Sequence, residues 1–259
     1  MYMWVVYSMI LIVFTPFMIS RFSDIRKIAI ELPIILLGAV LSNLLATTLN
    51  MEALKREELS YTAPLNAMVP LFTLLIAGIF INETPPRFGV IGILAIVAGA
   101  YIVSIKPERI HWYDPLKRLT TSAGAQLSIA VTLCYAVNTV LTKVLTNNHY
   151  GTLNIVYITT LVGWLFLLYV PIFKLKELRA AEKSDKMAVL GGGASSFASG
   201  YFHILATAST FTSYATSVRR LDALISIVLG WRYLKETNIR IKLIGASVMT
   251  VGTILLAIS

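Results

Sequence analysis

Nine polar or charged residues stand within, or at the ends of, long apolar runs: Asn50, Asn66, Tyr135, Asn138, Lys143, His203, Arg219, Arg220 and Asp222. Amides and a phenol exchange hydrogen bonds with small polar molecules. Two adjacent guanidinium groups, Arg219 and Arg220, offer several fixed donors to a carboxylate or phosphate. Tyr135, Asn138 and Thr142 fall at i, i+3 and i+7 on one helix face, with Lys143 following as a cap or a binding residue. His203 and Asp222 are the groups able to carry a proton, and Asp222 is the only carboxylate that the run lengths force among apolar residues. Positive groups exceed that carboxylate, so the set favours a small anion or zwitterion, such as an amino or organic acid. Plainer roles compete. Arg219 and Asp222, three apart, can neutralise one another, and Arg220 can reach the headgroups. His203 can be a satisfied interior histidine, and the asparagines can hydrogen-bond between helices for about 1 kcal/mol each.

Catalysis finds little support. There is no H-E-x-x-H or G-x-S-x-G, and His111, His149 and His203 do not cluster, so no catalytic residue, metal ligand or cofactor is expected. Gly191 to Gly200 is glycine-rich but lacks the GK[ST] ending of a phosphate loop. It fits a flexible helix start with a thin face. The single cysteine, Cys134, excludes an internal disulfide and a cysteine zinc site. The net charge of +9 raises nucleic acid as a partner. The basic residues sit instead in short gaps between apolar runs, where they meet lipid headgroups, and no nucleic acid is expected.

The elements that carry these residues follow from the apolar runs. The chain has 57% hydrophobic and only 14% charged residues, far from the balance of a soluble domain. About 20 apolar residues cross a hydrocarbon core of roughly 30 Å. Nine runs qualify: 1–20, 32–51, 59–82, 88–105, 119–142, 144–173, 187–218, the stretch around 223–231, and 243–259. The run at 223–231 is long enough only if Arg219, Arg220 and Asp222 enter the membrane with it. An all-α integral membrane protein is expected, and the first run is taken as a true span rather than a signal peptide.

Sliding the chain against itself by 153 positions aligns Glu83, Thr84, Arg87, Ile91, Gly92, Gly99 and Ile105 with Glu236, Thr237, Arg240, Ile244, Gly245, Gly252 and Ile258. The same ungapped register pairs Ser60 and Tyr61 with Ser213 and Tyr214, Ala53 with Ala206, Ser42 with Ser195, and Gly38 with Gly191. It also pairs Asn50 with His203 and Asn66 with Arg219, so polar groups recur at matching depths. Residues 1–105 form a first repeat of four helices, 106–122 a linker, and 123–259 a second repeat of five. An odd helix count per repeat sends the second copy into the bilayer from the other side, an inverted two-fold. Gly92 and Gly99, like Gly245 and Gly252, are seven apart and share one face, where a neighbouring helix can approach closely.

These residues carry a family resemblance that spans the chain. Glu58 to Asn66 (ELSYTAPLN), Pro70 to Thr73 (PLFT), Glu83 and the glycine-spaced helix after it resemble the EamA-like branch of the drug/metabolite transporter superfamily. Val218 to Ser226 (VRRLDALIS), with Gly230, Glu236 and Gly245, resembles the matching part of that family's second repeat. The resemblance implies ten helices in two inverted five-helix repeats, of which nine are seen here and the opening helix is not; about 30 further residues encoding it are expected upstream of Met1. It implies a carrier of small metabolites or drugs working by alternating access around one central site. A multidrug or cation exporter of the same fold, or a non-transporting membrane subunit if nine helices is the natural number, are the other readings. The triose-phosphate branch of the superfamily also has a basic pair near the start of the matching helix.

A multi-pass protein of the plasma membrane follows, with a small-molecule substrate and lipid as partners and a homodimer left open. Orientation is contested. The gaps at 52–58, 106–118, 174–186 and 232–242 share one side and hold 15 Lys and Arg against 7 on the other, which places that side in the cytoplasm. The resemblance places the loop at 21–27 and the C-terminus in the cytoplasm instead, on the side with 7, and is followed.

Overall fold

In the computed structural model, residues 2–56, 65–104, 113, 117, 120–147, 150–169, 183–219, 221 and 239–259 are described, the side chains of 2, 20, 104, 183–190, 192–194, 196, 197, 239, 240 and 242 excepted. Helices account for nearly all of them: α1 Tyr2–Met18, α2 Phe22–Glu31, α3 Pro33–Arg56, α4 Val69–Phe80, α5 Arg87–Ser104, α6 Ala123–Asn147, α7 Thr152–Phe166, α8 Lys183–Ser209, α9 Thr212–Arg219 and α10 Ile239–Ala257, with a 3-10 turn at Ile19–Arg21. No strand occurs among the described residues, as the apolar runs require.

Local signals set several boundaries. Pro33 starts α3, because proline lacks the N–H that a continuing helix needs yet fits a first turn. Pro70 sits likewise in the first turn of α4. That helix ends where Asn82 takes the left-handed conformation (φ 52°), letting the Glu83 N–H return to the Ala77 carbonyl at 3.2 Å. Gly151, at φ 79°, supplies the turn that starts α7.

The expected spans are altered in three places. The run 1–20 does not stop at a loop over 21–27: the chain bends by 116° and continues as α2. The boundary between the fifth and sixth runs is expected at Lys143, but α6 runs on to Asn147 and α7 starts at Thr152, so Lys143 is inside α6. The run 187–218 is broken after Ser209 into α8 and α9. Among the described residues α3 and α6 are each long and apolar enough to cross a bilayer alone. Shorter apolar helices are α4, α5, α7 and α10, while α1 is joined to α2 through the bend.

The chain packs as two compact units, and each mixes the two repeats. One comprises residues 1–41 and 141–209, the other 42–140 and 210–259. In the first, α1 packs on α7 in antiparallel sense. Trp164 Nε1 donates to Ser8 Oγ at 2.8 Å, the Thr15 and Tyr157 hydroxyls share a 2.9 Å bond, and a Cβ on Gly163 would meet the Tyr7 ring at 2.8 Å. Advancing from Ser8 to Thr15 on α1 means going back from Trp164 to Tyr157 on α7.

In the second unit α5 packs on α10. A Cβ on Gly99 would lie 2.6 Å from the Gly245 carbonyl oxygen, and one on Gly252 would lie 2.7 Å from that of Gly92. No side chain fits either position, so these glycines let the backbones touch. The neighbours repeat too: Gly92 faces Leu256 and Gly245 faces Val103, while Gly99 faces Met249 and Gly252 faces Ile96. Each second contact is the first moved by the 153-residue register, with the helices exchanged. The crossing is antiparallel and nearly two-fold symmetric, as an inverted repeat demands. Ile93, Ile96, Val97 and Ala100 of α5 close a core there with Met249 and Leu256 of α10.

Candidate functional site

The polar groups lie along α6 and the helices beside it in each unit. In the unit built on α5 and α10, Asn66 Nδ2 donates to Asn50 Oδ1 at 3.4 Å. Both side chains are half-buried. Fully buried Thr132 of α6 reaches the same spot, its Oγ1 lying 3.2 Å from the Leu65 carbonyl and 3.5 Å from Asn66 Oδ1. Its 2.8 Å bond to the Ser128 carbonyl is the shortest. The pairing of Asn50 with Asn66 therefore joins two of the expected site residues and adds Thr132.

Buried polar residues recur along α6: Ser128, Thr132, Thr139, Thr142 and Lys143. Spacings of three, four and seven put most of them on one stripe. Ser128, Thr132 and Thr139 each donate to the carbonyl four residues back, at 3.0, 2.8 and 2.8 Å. Ser128 and Thr139 have spent their one hydroxyl proton there, so their oxygens remain acceptors, whereas the Thr132 proton is shared among the Ser128 and Leu65 carbonyls and Asn66 Oδ1. Tyr135 and Asn138 are half-buried on the same helix. Ser128, Thr132 and Thr139 were absent from the sequence-based set. Their four- and seven-residue spacing is the signal that could have found them, but serine and threonine are common enough in apolar helices to be overlooked.

Glu83 stands apart from this chemistry. Its Oε2 accepts the backbone N–H of Thr212 at 2.8 Å, so it caps the first turn of α9. Arg219, in the last turn of α9, is exposed. Arg220 and Asp222 lie outside the described residues.

In the other unit Lys143 is 9% exposed, and its Nζ donates to the Thr207 carbonyl at 2.7 Å. Thr207 lies two residues from the end of α8, where carbonyls lack helical partners and the helix dipole favours a cation. Of the two sequence roles for Lys143, this contact is the capping one. Thr207 Oγ1 donates in turn to the His203 carbonyl at 2.8 Å, and His203 is half-buried. A cavity of about 370 Å³ opens beyond, lined by Thr146, Asn147, Gly151, Thr152, Ile155 and Ala208. None of these was expected. At the edge of this unit the Tyr150 hydroxyl donates to Glu31, and that carboxylate holds the phenol above its usual range.

Antiparallel, repeat-related helix pairs in both units, with polar stripes inside apolar helices, define a two-repeat helical membrane protein of the transporter type. Residues 1–105 and 122–258 match the EamA-like transporter family, and the chain belongs to that family. Its members are small-molecule transporters rather than enzymes, so this is an integral membrane transporter of the drug/metabolite type. A solved structure described as "Crystal structure of protein" resembles it with a TM-score of 0.75 over 99% of this chain and 86% of its own, at 14% identity, which is a likeness of fold. No curated protein matches the sequence.

Proposed function

We propose that the chain is a secondary transporter that moves a small anionic or zwitterionic metabolite, such as an amino or organic acid, across the plasma membrane by alternating access. The observation that carries the mechanism is the α5–α10 crossing, which supports two inverted halves able to exchange conformations about a central site. The break between α8 and α9 supports it as well, because helices broken within an apolar run, their ends met here by Lys143 and Glu83, are a feature of such carriers. The charge of the substrate rests on Arg219, Arg220 and His203 outnumbering Asp222. Lys143 is spent on the Thr207 carbonyl and counts for less.

A second reading has its own support. Ser128 and Thr139 of the α6 stripe, buried in this conformation, keep hydroxyl oxygens as acceptors, and acceptors suit a cationic substrate. Counterflow in proteoliposomes with a panel of amino acids, organic acids and lipophilic cations separates the two. The favoured reading expects saturable flux of an anion or zwitterion, reduced by Arg219→Gln or Arg220→Gln. Flux of cations alone supports the exporter, and no flux of any kind supports a non-transporting subunit.

A further inference from the structure

The turn after α1 makes a second kind of surface. α1 exposes Ile12, Val13 and Phe17 at 75%, 57% and 69%, a face suited to acyl chains. At Ile19–Arg21 the chain bends by 116°, so a helix following a span leaves it running across the membrane rather than through it. α2 is amphipathic. Ile25 and Ile28 are buried at 3% and 0% within this unit. Phe22, Arg26 and Ile30, spaced i, i+4 and i+8, form the opposite stripe and are exposed, Phe22 at 66% and Ile30 at 63%. Arg21 and Lys27 are exposed beside it.

The acids do not neutralise this stripe. Glu31 keeps its charge while accepting the Tyr150 hydroxyl, but neither it nor half-buried Asp24 forms an ion pair with Arg21, Arg26 or Lys27 among the described residues, and the segment stays net basic. A bare cationic strip between two large apolar side chains is unsuited to water and suited to the boundary where acyl chains meet headgroups.

We infer that α2 lies in the membrane surface as an interfacial helix whose Arg26 and Lys27, with Arg21 of the turn before it, bind the phosphates of anionic phospholipids. Phe22 and Ile30 enter the acyl layer on either side of Arg26. Basic groups at such a surface are attracted by anionic lipid, and the attraction is lost in a zwitterionic bilayer. The loop expected at 21–27 is therefore a lipid-reading element, and Arg21, Arg26 and Lys27 are held there by local chemistry.

The full chain is purified from vesicles of phosphatidylcholine mixed equally with phosphatidylglycerol, and the retained lipid is weighed by mass spectrometry. The wild type is expected to retain phosphatidylglycerol preferentially. The Arg21→Gln, Arg26→Gln, Lys27→Gln variant is expected to lose that preference at least about tenfold, while Arg21→Lys with Arg26→Lys keeps it. In a Cys134→Ala background, a fluorophore on a cysteine placed at Ser23 is expected to be quenched by shallow brominated lipid in preference to aqueous iodide. This second readout needs no charge variant to fold. Unchanged lipid preference in the glutamine variant, or a Ser23 label quenched by iodide alone, overturns the inference.

Discussion

The Glu83 carboxylate accepts the backbone N–H of Thr212 at 2.8 Å, joining two residues 129 positions apart in sequence. One of them follows α4 in the first repeat, and the other opens α9 in the second. Capping by a carboxylate satisfies a donor at the helix start and opposes the positive end of its dipole. Glu83→Ala is expected to destabilise the protein by about 1 kcal/mol. Glu83→Gln, which keeps an acceptor, is expected to lose less. Thermal unfolding in detergent, followed by circular dichroism, measures both; equal stability of the alanine variant and wild type contradicts the cap.

The glycine crossing gives a sharper contrast. Gly99→Ala places a methyl group 2.5 Å from Met249 Cγ and 2.6 Å from the Gly245 carbonyl, so α5 and α10 must part. A loss of about 1–3 kcal/mol is expected, as for other overpacked cores. Gly191 and Gly200 of α8 have nothing within 4 Å of an added Cβ among the described residues. Alanine at either is expected to leave the protein as stable or stabilise it by up to about 1 kcal/mol. The same melting series decides between them.

Lys143 is predicted to be an anchor. Removing its ammonium in Lys143→Met leaves the Thr207 carbonyl without that donor, and a loss of about 1–3 kcal/mol is expected. The substrate profile of the surviving protein is expected to be unchanged. A variant of wild-type stability whose preference shifts from anions to cations would make Lys143 a substrate ligand instead.

Thr132 is predicted to position Asn66. Thr132→Val keeps the shape and deletes the hydroxyl shared among Leu65, Asn66 and Ser128. Inter-helix hydrogen bonds of this kind average about 0.6 kcal/mol in membranes. A rise of about threefold in KM with little change in stability is expected, read by proteoliposome uptake. A change in stability alone would leave Thr132 as packing.

Much of the fold was legible because lipid simplifies the code: hydrophobicity and the 153-residue register sufficed for an all-helical chain of two inverted repeats. The misread boundaries share one cause, the use of charge as punctuation. Lys143 looked like an end because it is charged, yet a carbonyl at the end of α8 lets it sit buried inside α6. Nothing charged marks Ser209 to Phe211, so the break between α8 and α9 was invisible. Arg21, Arg26 and Lys27 looked like a loop because the hydropathy sum cannot distinguish a polar turn from an amphipathic helix. Asn50 and Asn66 were found because amides are rare in apolar runs. Thr132 was not, because a hydroxyl bonded to its own helix costs little there and leaves no compositional trace.

The glycine crossing maps onto itself when the halves are exchanged, which is the form of contact made between two copies of one surface. Two separate, identical half-chains would make it only if one had inserted upside down relative to the other. In such a pair every substitution would strike the crossing twice, at Gly92 and Gly245 together or at Gly99 and Gly252 together. A single chain removes that coupling. Either half can now acquire a residue that the other lacks, and Asn50 opposite His203, or Asn66 opposite Arg219, is what that freedom has produced.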